Sequence, residues 1–512
     1  MVSRIVLFIK DLNERQILWI LLGITFGLRL YAVLMATGIA YDGAGYGFMA
    51  RDFLRHDFAK GLSSALHPLY PFLIYLVSPD ASHVEIAGRF ISLFFGTMTF
   101  IPVFYLAKEV AGQKGAILSG LFYSFHPYLV TYSGTLLSEA TYWGLFTLSA
   151  YFFWTGLKRR KVLRSIASGF FLALAYLTRP EGMGYLFIFV MWLFFYGGLK
   201  AGWFKKILLF GGVILPFLIF SILYIIHIHQ ETGQWFISKK AVGVQAELLK
   251  RGEQIDGSIV KVLRVGQKSG MQHIIKGLAE NVIQNIPFIA YHYFRAYHFA
   301  LWLFLIFGLV RPRQKGILGE LFLASFVLFH LFSLSAFTTS SIRLSIPLIP
   351  ISLFWAGSGV LEIQRYFHKI NASKAEKWVF ALVLLSILIQ LPQSLKAERR
   401  HRMDEKAVGF WLMENTPKDS VIMSNSPLET FYGDREFVVL PPGVSTSRTP
   451  AKSYKEIIQF AKEKKVRYIL VNKNTHESNP DFEASIRPTD LREFYRYKEK
   501  DGNWITVYEV IY

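Results

Sequence analysis

The chain has no cysteine in 512 residues. That excludes disulfides, a thiolate metal site and a cysteine nucleophile, so any part outside the cytoplasm must be held by packing alone. Acidic residues are scarce: 36 Asp and Glu stand against 56 Lys and Arg, a formal net charge of +20. The basic residues are scattered between apolar blocks and form no stripe with interleaved aromatics, which argues against nucleic acid as a partner. No two-half repeat of the kind common in transporters is evident. The last 115 or so residues hold no phosphate loop, metal-ligand pair or nucleophile motif.

What is abundant is apolar surface. The chain is 53% hydrophobic and 16% aromatic, with a mean hydropathy of +0.34. The apolar residues fall into blocks of about 20, the length that crosses a bilayer. Spans are expected near 16–36, 86–107, 115–133, 137–157, 163–178, 183–198, 206–228, 286–309, 317–337, 346–362 and 378–393. The expected architecture is therefore a polytopic α-helical membrane protein of about eleven spans, since backbone groups in lipid must be paired within their own segment. With the N-terminus cytoplasmic, Lys108 and Lys114, Lys158 to Arg164, Lys200 to Lys206, Arg311 to Lys315 and Arg365 to Lys377 all share its side. The loops 37–85, 179–182, 229–285 and 338–345 and everything after about 395 take the other side. The small residues Met35–Ala40 resemble a cleavage site, but the preceding apolar block is long and carries Arg29, so it is read as a signal-anchor helix.

Residues 1–395 are thus expected to form a membrane domain and 396–512 a soluble α/β domain. In the latter, helices are expected at 402–414 and 454–464. Strands are expected at 421–423, 437–440 and 466–471, and 494–497 and 504–510 flank an Asp501-Gly502 hairpin turn.

Candidate chemistry sits in the outer loops. Ala40-Tyr-Asp42-Gly-Ala-Gly-Tyr46 opens the first. Tyr46, Met49, Phe53 and Leu54 then recur at helical spacing, with Arg51, Asp52, Arg55 and His56 on a charged side, as in a helix lying in the membrane surface. A second apolar segment, His67-Pro-Leu-Tyr70-Pro71 to Val77, is too short to cross. Asp42 reads either as a helix N-cap or as a general base, roles that are compatible. Arg51 reads as a headgroup contact or a site residue, His67 as a pre-proline loop residue or a site residue, and Asp52 as an ion-pair partner of Arg55. Arg179 and Glu181 in Thr178-Arg-Pro-Glu-Gly182, Glu139 in Leu137-Ser-Glu-Ala140, and Arg343 in Ser341-Ile-Arg-Leu-Ser345 all lie at outer span ends. Ionisable groups at that depth are costly: they snorkel to headgroups or line a site. A carboxylate with arginines suits sugar transfer from a lipid phosphate, which needs a base for the acceptor hydroxyl and guanidinium forks for the departing phosphate.

These segments resemble the GT-C glycosyltransferases, particularly the branch of protein O-mannosyltransferases and the aminoarabinose transferase of lipid A. Asp42 followed by Tyr46 and Ala50 is similar to the family's first-loop aspartate. His67-Pro-Leu-Tyr70-Pro71 is similar to its second interfacial segment, Leu177-Thr-Arg179-Pro to its Leu-Thr-Arg-Pro, and Arg343-Leu-Ser-Ile-Pro347-Leu-Ile-Pro350 to its Arg-Tyr-x-x-Pro-x-x-Pro. Gly43 stands where many members have Glu, and Leu344 where Tyr is usual. The resemblance implies a polyprenyl-phosphate sugar donor, an active site on the outer face, inversion at the anomeric carbon, and a glycolipid, polysaccharide or protein acceptor. It implies Asp42 as base, Arg179, Arg343, His67 and Arg51 as donor-phosphate ligands, and Tyr46, Glu139, Glu181 and Tyr70 as pocket residues. A divalent metal is compatible with such a site, but its ligands do not follow from the sequence. The expected setting is a bacterial inner membrane with the C-terminal domain periplasmic. The competing readings are a transporter or lipid flippase, and an oligosaccharyltransferase or O-antigen ligase with an acceptor groove in 229–285.

Overall fold

The computed structural model describes residues 13–196, 202–239, 279–312, 317–337, 341–396, 402–441, 452–479, 481–498 and 504–512. The chain divides into two compact units. The first holds residues up to Met35, Ser64–Val77 and Ile86–Lys396; the second holds Ala36–Ser63, Ser78–Glu85 and Ala397–Tyr512.

The first unit is all helix, and helices underlie each expected span. Among the described residues, five helical stretches are long and apolar enough to cross a membrane, or six if one bent pair is counted. Two of the five, Val84–Phe125 and Ile342–Ser394, run to 42 and 53 residues. At 1.5 Å per residue each is about twice what a bilayer needs. Their breaks explain how each covers two expected spans. Gly112 takes φ 73°, ψ −177°, a backbone conformation only glycine adopts without strain. Asn371 is extended, and its side chain accepts from the Lys374 amide at 3.2 Å, capping the segment that follows.

One expectation needs correction. The segment 286–309 is not one straight span but the pair Ala279–Ala296 and Phe299–Val310, bent by 83°. His298 sits at the bend with φ 63°, and its ring accepts from the Ala300 amide. The expected span 115–133 is likewise interrupted where Pro127 starts a new short helix after His126.

Burial separates central from peripheral helices. The apolar window of Ile342–Ser394 is 89% buried, whereas those of Glu14–Met35 and Trp203–Thr232 are 28% and 33% buried. The peripheral helices show Leu215, Ile219 and Leu223 outward, the surface that lipid covers. Inside, aromatic rings stack in a column: Phe153 on Phe189 at 4.1 Å, Phe146 on Tyr185 at 4.2 Å, and Trp154 on Phe322 at 5.1 Å. The terminal nitrogens of buried Arg29 donate to the carbonyls of Thr25 and Tyr123, and its guanidinium lies 4.5 Å from the Tyr123 ring.

Small residues set the tightest crossing. A Cβ on Gly308 would collide with the Trp355 carbonyl, and one on Gly359 with that of Phe304, so Trp302–Val310 and Ile349–Ser394 touch backbone to backbone.

The second unit is built on a five-stranded sheet in the order β2-β1-β3-β5-β4. The strands are β1 (Val421–Ser424), β2 (Glu436–Val439), β3 (Val466–Asn472), β4 (Leu491–Lys498) and β5 (Trp504–Val510). β1 pairs in parallel with β2 and β3, and β5 antiparallel with β3 and β4. The run Val466-Arg-Tyr-Ile-Leu-Val471 is nearly all apolar because both faces are covered. Ile469 and Val471 pack with Ile457 and Ile458 on one side, Tyr468 and Leu470 with Val408 and Leu412 on the other. Helix Tyr454–Glu463 starts at a Ser453/Glu456 capping box. The expected strands and the helices at 402–414 and 454–464 match observed elements to within a few residues, whereas Leu428–Gly433 and Lys473–Ser478 are helices that the periodicity does not announce. The Asp501-Gly502 turn lies outside the described residues.

Helix Tyr41–Leu54 belongs to this second unit. It packs on Leu428–Gly433, with Phe48 5.8 Å from Phe431 and stacked 6.4 Å from Phe437. Gly47 is required there, because a Cβ would strike the Phe431 ring.

The glycine crossing is directly testable. Gly359→Val is expected to lower thermal stability in detergent by about 1–3 kcal/mol or more through overpacking, while Gly23→Ala, with nothing within 4 Å of the new methyl group, leaves the melting temperature within error. Equal melting of Gly359→Val and the parent protein would contradict the crossing.

Candidate functional site

In the first unit, four helix ends deliver charge to one point. Arg179 terminates helix Val162–Thr178 in extended conformation, φ −154°, ψ 141°, as a residue before proline must. Pro180 and Glu181 then begin helix Glu181–Phe195. Glu139 lies in the first turn of Glu139–Arg159, and Arg343 in the short helix Ile342–Ser345. Carboxylates in a first helical turn meet the positive end of the helix dipole.

The side chains meet on Glu139. Its Oε1 accepts from Arg179 Nη1 at 3.1 Å and from Arg343 Nε in a short ion pair. Arg179 Nη2 also donates to Glu181 Oε1 at 2.9 Å. Glu139 is fully buried, while the side chains of Arg179 and Arg343 are 12% and 30% exposed. Two guanidiniums and two carboxylates neutralise one another, the condition for charge to persist at such depth. Arg343 is the more accessible cation, and the second oxygens of Glu139 and Glu181 are buried with no hydrogen-bond partner among the described residues.

A second layer fixes this cluster. The Tyr142 ring lies 5.8 Å from the Arg179 guanidinium. His330 Nε2 faces the Leu344 carbonyl at 2.9 Å and Nδ1 the Tyr185 hydroxyl at 2.7 Å. A carbonyl only accepts, so Nε2 carries the proton and Tyr185 donates to Nδ1. That relay ties the backbone next to Arg343 to the helix that begins with Glu181. Tyr142, Tyr185 and His330 escape sequence reading: a lone histidine or tyrosine in an apolar span has the pattern of a core residue. Only Tyr142, three positions after Glu139 on the same helix face, carried a usable signal.

Two expected site residues of this unit, His67 and Tyr70, make hydrogen bonds to groups other than the four charged side chains. His67 is buried, with Nδ1 on the Tyr176 carbonyl at 2.7 Å and Nε2 on Ser238 Oγ at 3.2 Å. Both nitrogens serve packing of the loop. Tyr70 is fully buried, its hydroxyl donating to the Gly88 carbonyl at 2.9 Å.

In the second unit, Asp42 occupies the first turn of its helix, but the N-cap is Ala40, with no side-chain cap bond. The capping reading of Asp42 is therefore corrected, although a first-turn carboxylate still benefits from the helix dipole. Asp42 is partly buried, and Tyr46 is 3% exposed and forms part of the packing. Arg51 does not reach outward as expected. Its Nη1 donates to the Phe431 carbonyl at 2.7 Å and its Nε to that of Ala81 at 3.1 Å, with the guanidinium 4.2 Å over the Phe431 ring. Nor do Asp52 and Arg55 pair: Arg55 binds Asp434 at 3.2 Å, and Asp52 lies 4.0 Å from Lys60.

Beside Asp42, Tyr41 lies 4.2 Å under the Arg402 guanidinium. Burial, and then the charge of Glu405, raises the Tyr41 hydroxyl above its ordinary value. Burial pushes Glu405 up to about 7, with Asp404 adding to the rise and Arg402 opposing it. Burial and the neighbouring Glu405 push Glu429 up to about 8. Ser426 Oγ donates to Glu405 at 3.2 Å. The proposed acceptor groove in 229–285 falls largely on residues outside those described. Among the described residues, no group of three or more His, Asp or Glu is placed to hold a metal ion.

Residues 65–226 match the profile of the family described as dolichyl-phosphate-mannose-protein mannosyltransferase. That stretch includes Glu139, Arg179 and Glu181. No protein of curated function matches by sequence. Among solved structures, ArnT from Cupriavidus metallidurans bound to undecaprenyl phosphate superposes with a TM-score of 0.60 at 10% identity, over 95% of this chain and 97% of that one. The apo oligosaccharyltransferase of Archaeoglobus fulgidus gives 0.55 at 12% identity, over 97% of this chain and 74% of that one. The oligosaccharyltransferase AglB of the same organism, with an inhibitory peptide and a dolichol-phosphate, gives 0.53 at 11% identity, over 94% and 74%.

The raised carboxyl pair predicts a pH dependence. Glu405 and Glu429 hold protons in the folded state that the unfolded chain releases near pH 4.5, so their contribution falls as pH rises through about 7 and 8. Glu429→Gln should melt progressively higher relative to the parent protein from about pH 5 to about pH 9. A constant difference across that range would remove the assignment.

Proposed function

We propose that the chain, which shares its fold with ArnT and the archaeal oligosaccharyltransferase and matches a mannosyltransferase profile over residues 65–226, is an integral-membrane glycosyltransferase of GT-C type that moves a sugar from a polyprenyl-phosphate donor to an acceptor hydroxyl. The acceptor is a glycolipid, polysaccharide or protein on the outer face of a bacterial inner membrane. The observation that carries the reading is the convergence of Arg179 and Arg343, 164 residues apart in sequence, on the buried Glu139.

In the proposed reaction the acceptor oxygen attacks the anomeric carbon as the bond from that carbon to the phosphate oxygen breaks, with inversion. The acceptor proton passes to Asp42, and the polyprenyl phosphate leaves with an added negative charge. Arg343 takes that charge, with its fork matched to phosphate oxygens, while Glu139 and Arg179 hold it in direction. Glu181 fixes Arg179 in turn. Arg51, His67, Tyr46 and Tyr70 have structural roles in this proposal. The lipid phosphates bound by the ArnT and AglB structures support the donor class.

The test is glycan and lipid mass spectrometry of a deletion strain complemented with the parent gene, Asp42→Asn or Arg343→Lys. The parent gene should restore a sugar that both variants leave missing. Loss of a general base costs about 10²–10⁴ in rate, and lysine does not reproduce the guanidinium fork. Full restoration by Asp42→Asn would reject the base, and by Arg343→Lys the phosphate ligand.

A further inference from the structure

The first unit contains a second polar site that the transfer chemistry does not use. A cavity of about 720 Å³ is lined by Gly112, Arg311, Ser358, Glu362, Arg365 and Lys369, with Val110, Leu361 and Tyr366 as apolar wall. Glu362 lies 13 residues into the helix that begins at Ile349, just after Arg343. At 1.5 Å per residue this is about 20 Å along the axis, so the cavity lies towards the other end of the helix bundle from Glu139. Glu109, next to Val110, pairs with Lys158 at 2.6 Å and Arg159 at 3.4 Å. This is the end that carries the short basic turns.

The site is preformed on its buried side. Arg311 is held by Glu320 at 2.9 Å and by the Gly308 carbonyl, and Glu320 is fixed in turn by Trp355 Nε1 at 2.9 Å. Arg365 pairs with Glu362 at 2.7 Å and is 67% exposed. Lys369 is exposed and has no ion-pair partner among the described residues. Among the described residues, the three cations thus face two carboxylates, Glu320 and Glu362, leaving one positive charge. Ser358 is only 4% exposed, and its hydroxyl has no hydrogen-bond partner among the described residues although it lines the cavity. A buried hydroxyl without a partner is costly unless something else supplies one.

We propose that this cavity binds a phosphodiester, as carried by the headgroup of an anionic lipid. One net positive charge matches the single negative charge of a phosphodiester, and Ser358 and the fixed Arg311 offer donors to its oxygens. The apolar wall suits the glycerol and acyl attachment, and the volume falls in the range of small-molecule sites. Basic pockets between transmembrane helices hold such headgroups by the same physics.

The test is native mass spectrometry of the full-length protein in detergent with phosphatidylglycerol or phosphatidylcholine. Arg365→Gln/Lys369→Gln removes the two exposed cations, and Lys158→Gln/Arg159→Gln serves as an equal-charge control on the same end. The parent protein and the control should retain phosphatidylglycerol in preference to phosphatidylcholine, and the cavity variant should lose it roughly thirtyfold. Displacement by glycerol 3-phosphate would assign the site to a soluble phosphate ester, and its failure to compete to the lipid. Undiminished retention by the cavity variant, equal loss in the control, or no preference between the two lipids would overturn the proposal.

Discussion

The buried carboxylate of Glu139 is the constraint from which the first unit's polar architecture follows. A fully buried anion persists only with cations against it, and here they come from two helix ends that the sequence separates widely. Satisfying Glu139 therefore fixes where helices Val162–Thr178 and Ile342–Ser345 terminate relative to Glu139–Arg159. The prolines at 180 and 347 make those terminations possible, by forcing extended backbone or a new helical start beside each arginine. The arginines proposed to meet the donor phosphate are thus held in place by the carboxylates they pair with.

This arrangement suits catalysis for the same reason that it burdens stability. A guanidinium paired on one edge is oriented before the ligand arrives, and little reorganisation is left for the transition state. Aromatic stacking around Phe146, Tyr185 and Phe153 surrounds the cluster with rigid neighbours, and His330 couples one such neighbour to the backbone beside Arg343.

What the sequence disclosed and what it hid follow physical lines. Apolar blocks, strand alternation and helix punctuation are local signals, so the helical nature of the first unit and the strands of the second could be read from them. Arg179, Glu139 and Arg343 were visible because an ionisable residue at a span end is costly and rare. Helical spacing puts Arg51 on a polar side, and it does not announce a partner such as the Phe431 carbonyl, 380 residues on. The partners of the His67 ring nitrogens, Tyr176 and Ser238, are likewise far off in sequence. Long-range partners of single polar residues leave no periodic trace. The bend at His298 escaped because hydropathy averages over direction.

The second unit is assembled from three separate pieces of chain, 36–63, 78–85 and 397–512. Its helix Tyr41–Leu54 leaves the ribosome some 350 residues before the sheet that packs on it, and the loop closed between them contains almost the whole helical bundle. Contacts of such sequence separation form late. Gly47, Phe48 and Arg51 must therefore wait in an incomplete environment throughout bundle insertion, and residues 397–512 expressed alone would lack an element of their own core. Synthesis order thus makes Asp42, on that helix, one of the last groups of the second unit to reach its final surroundings.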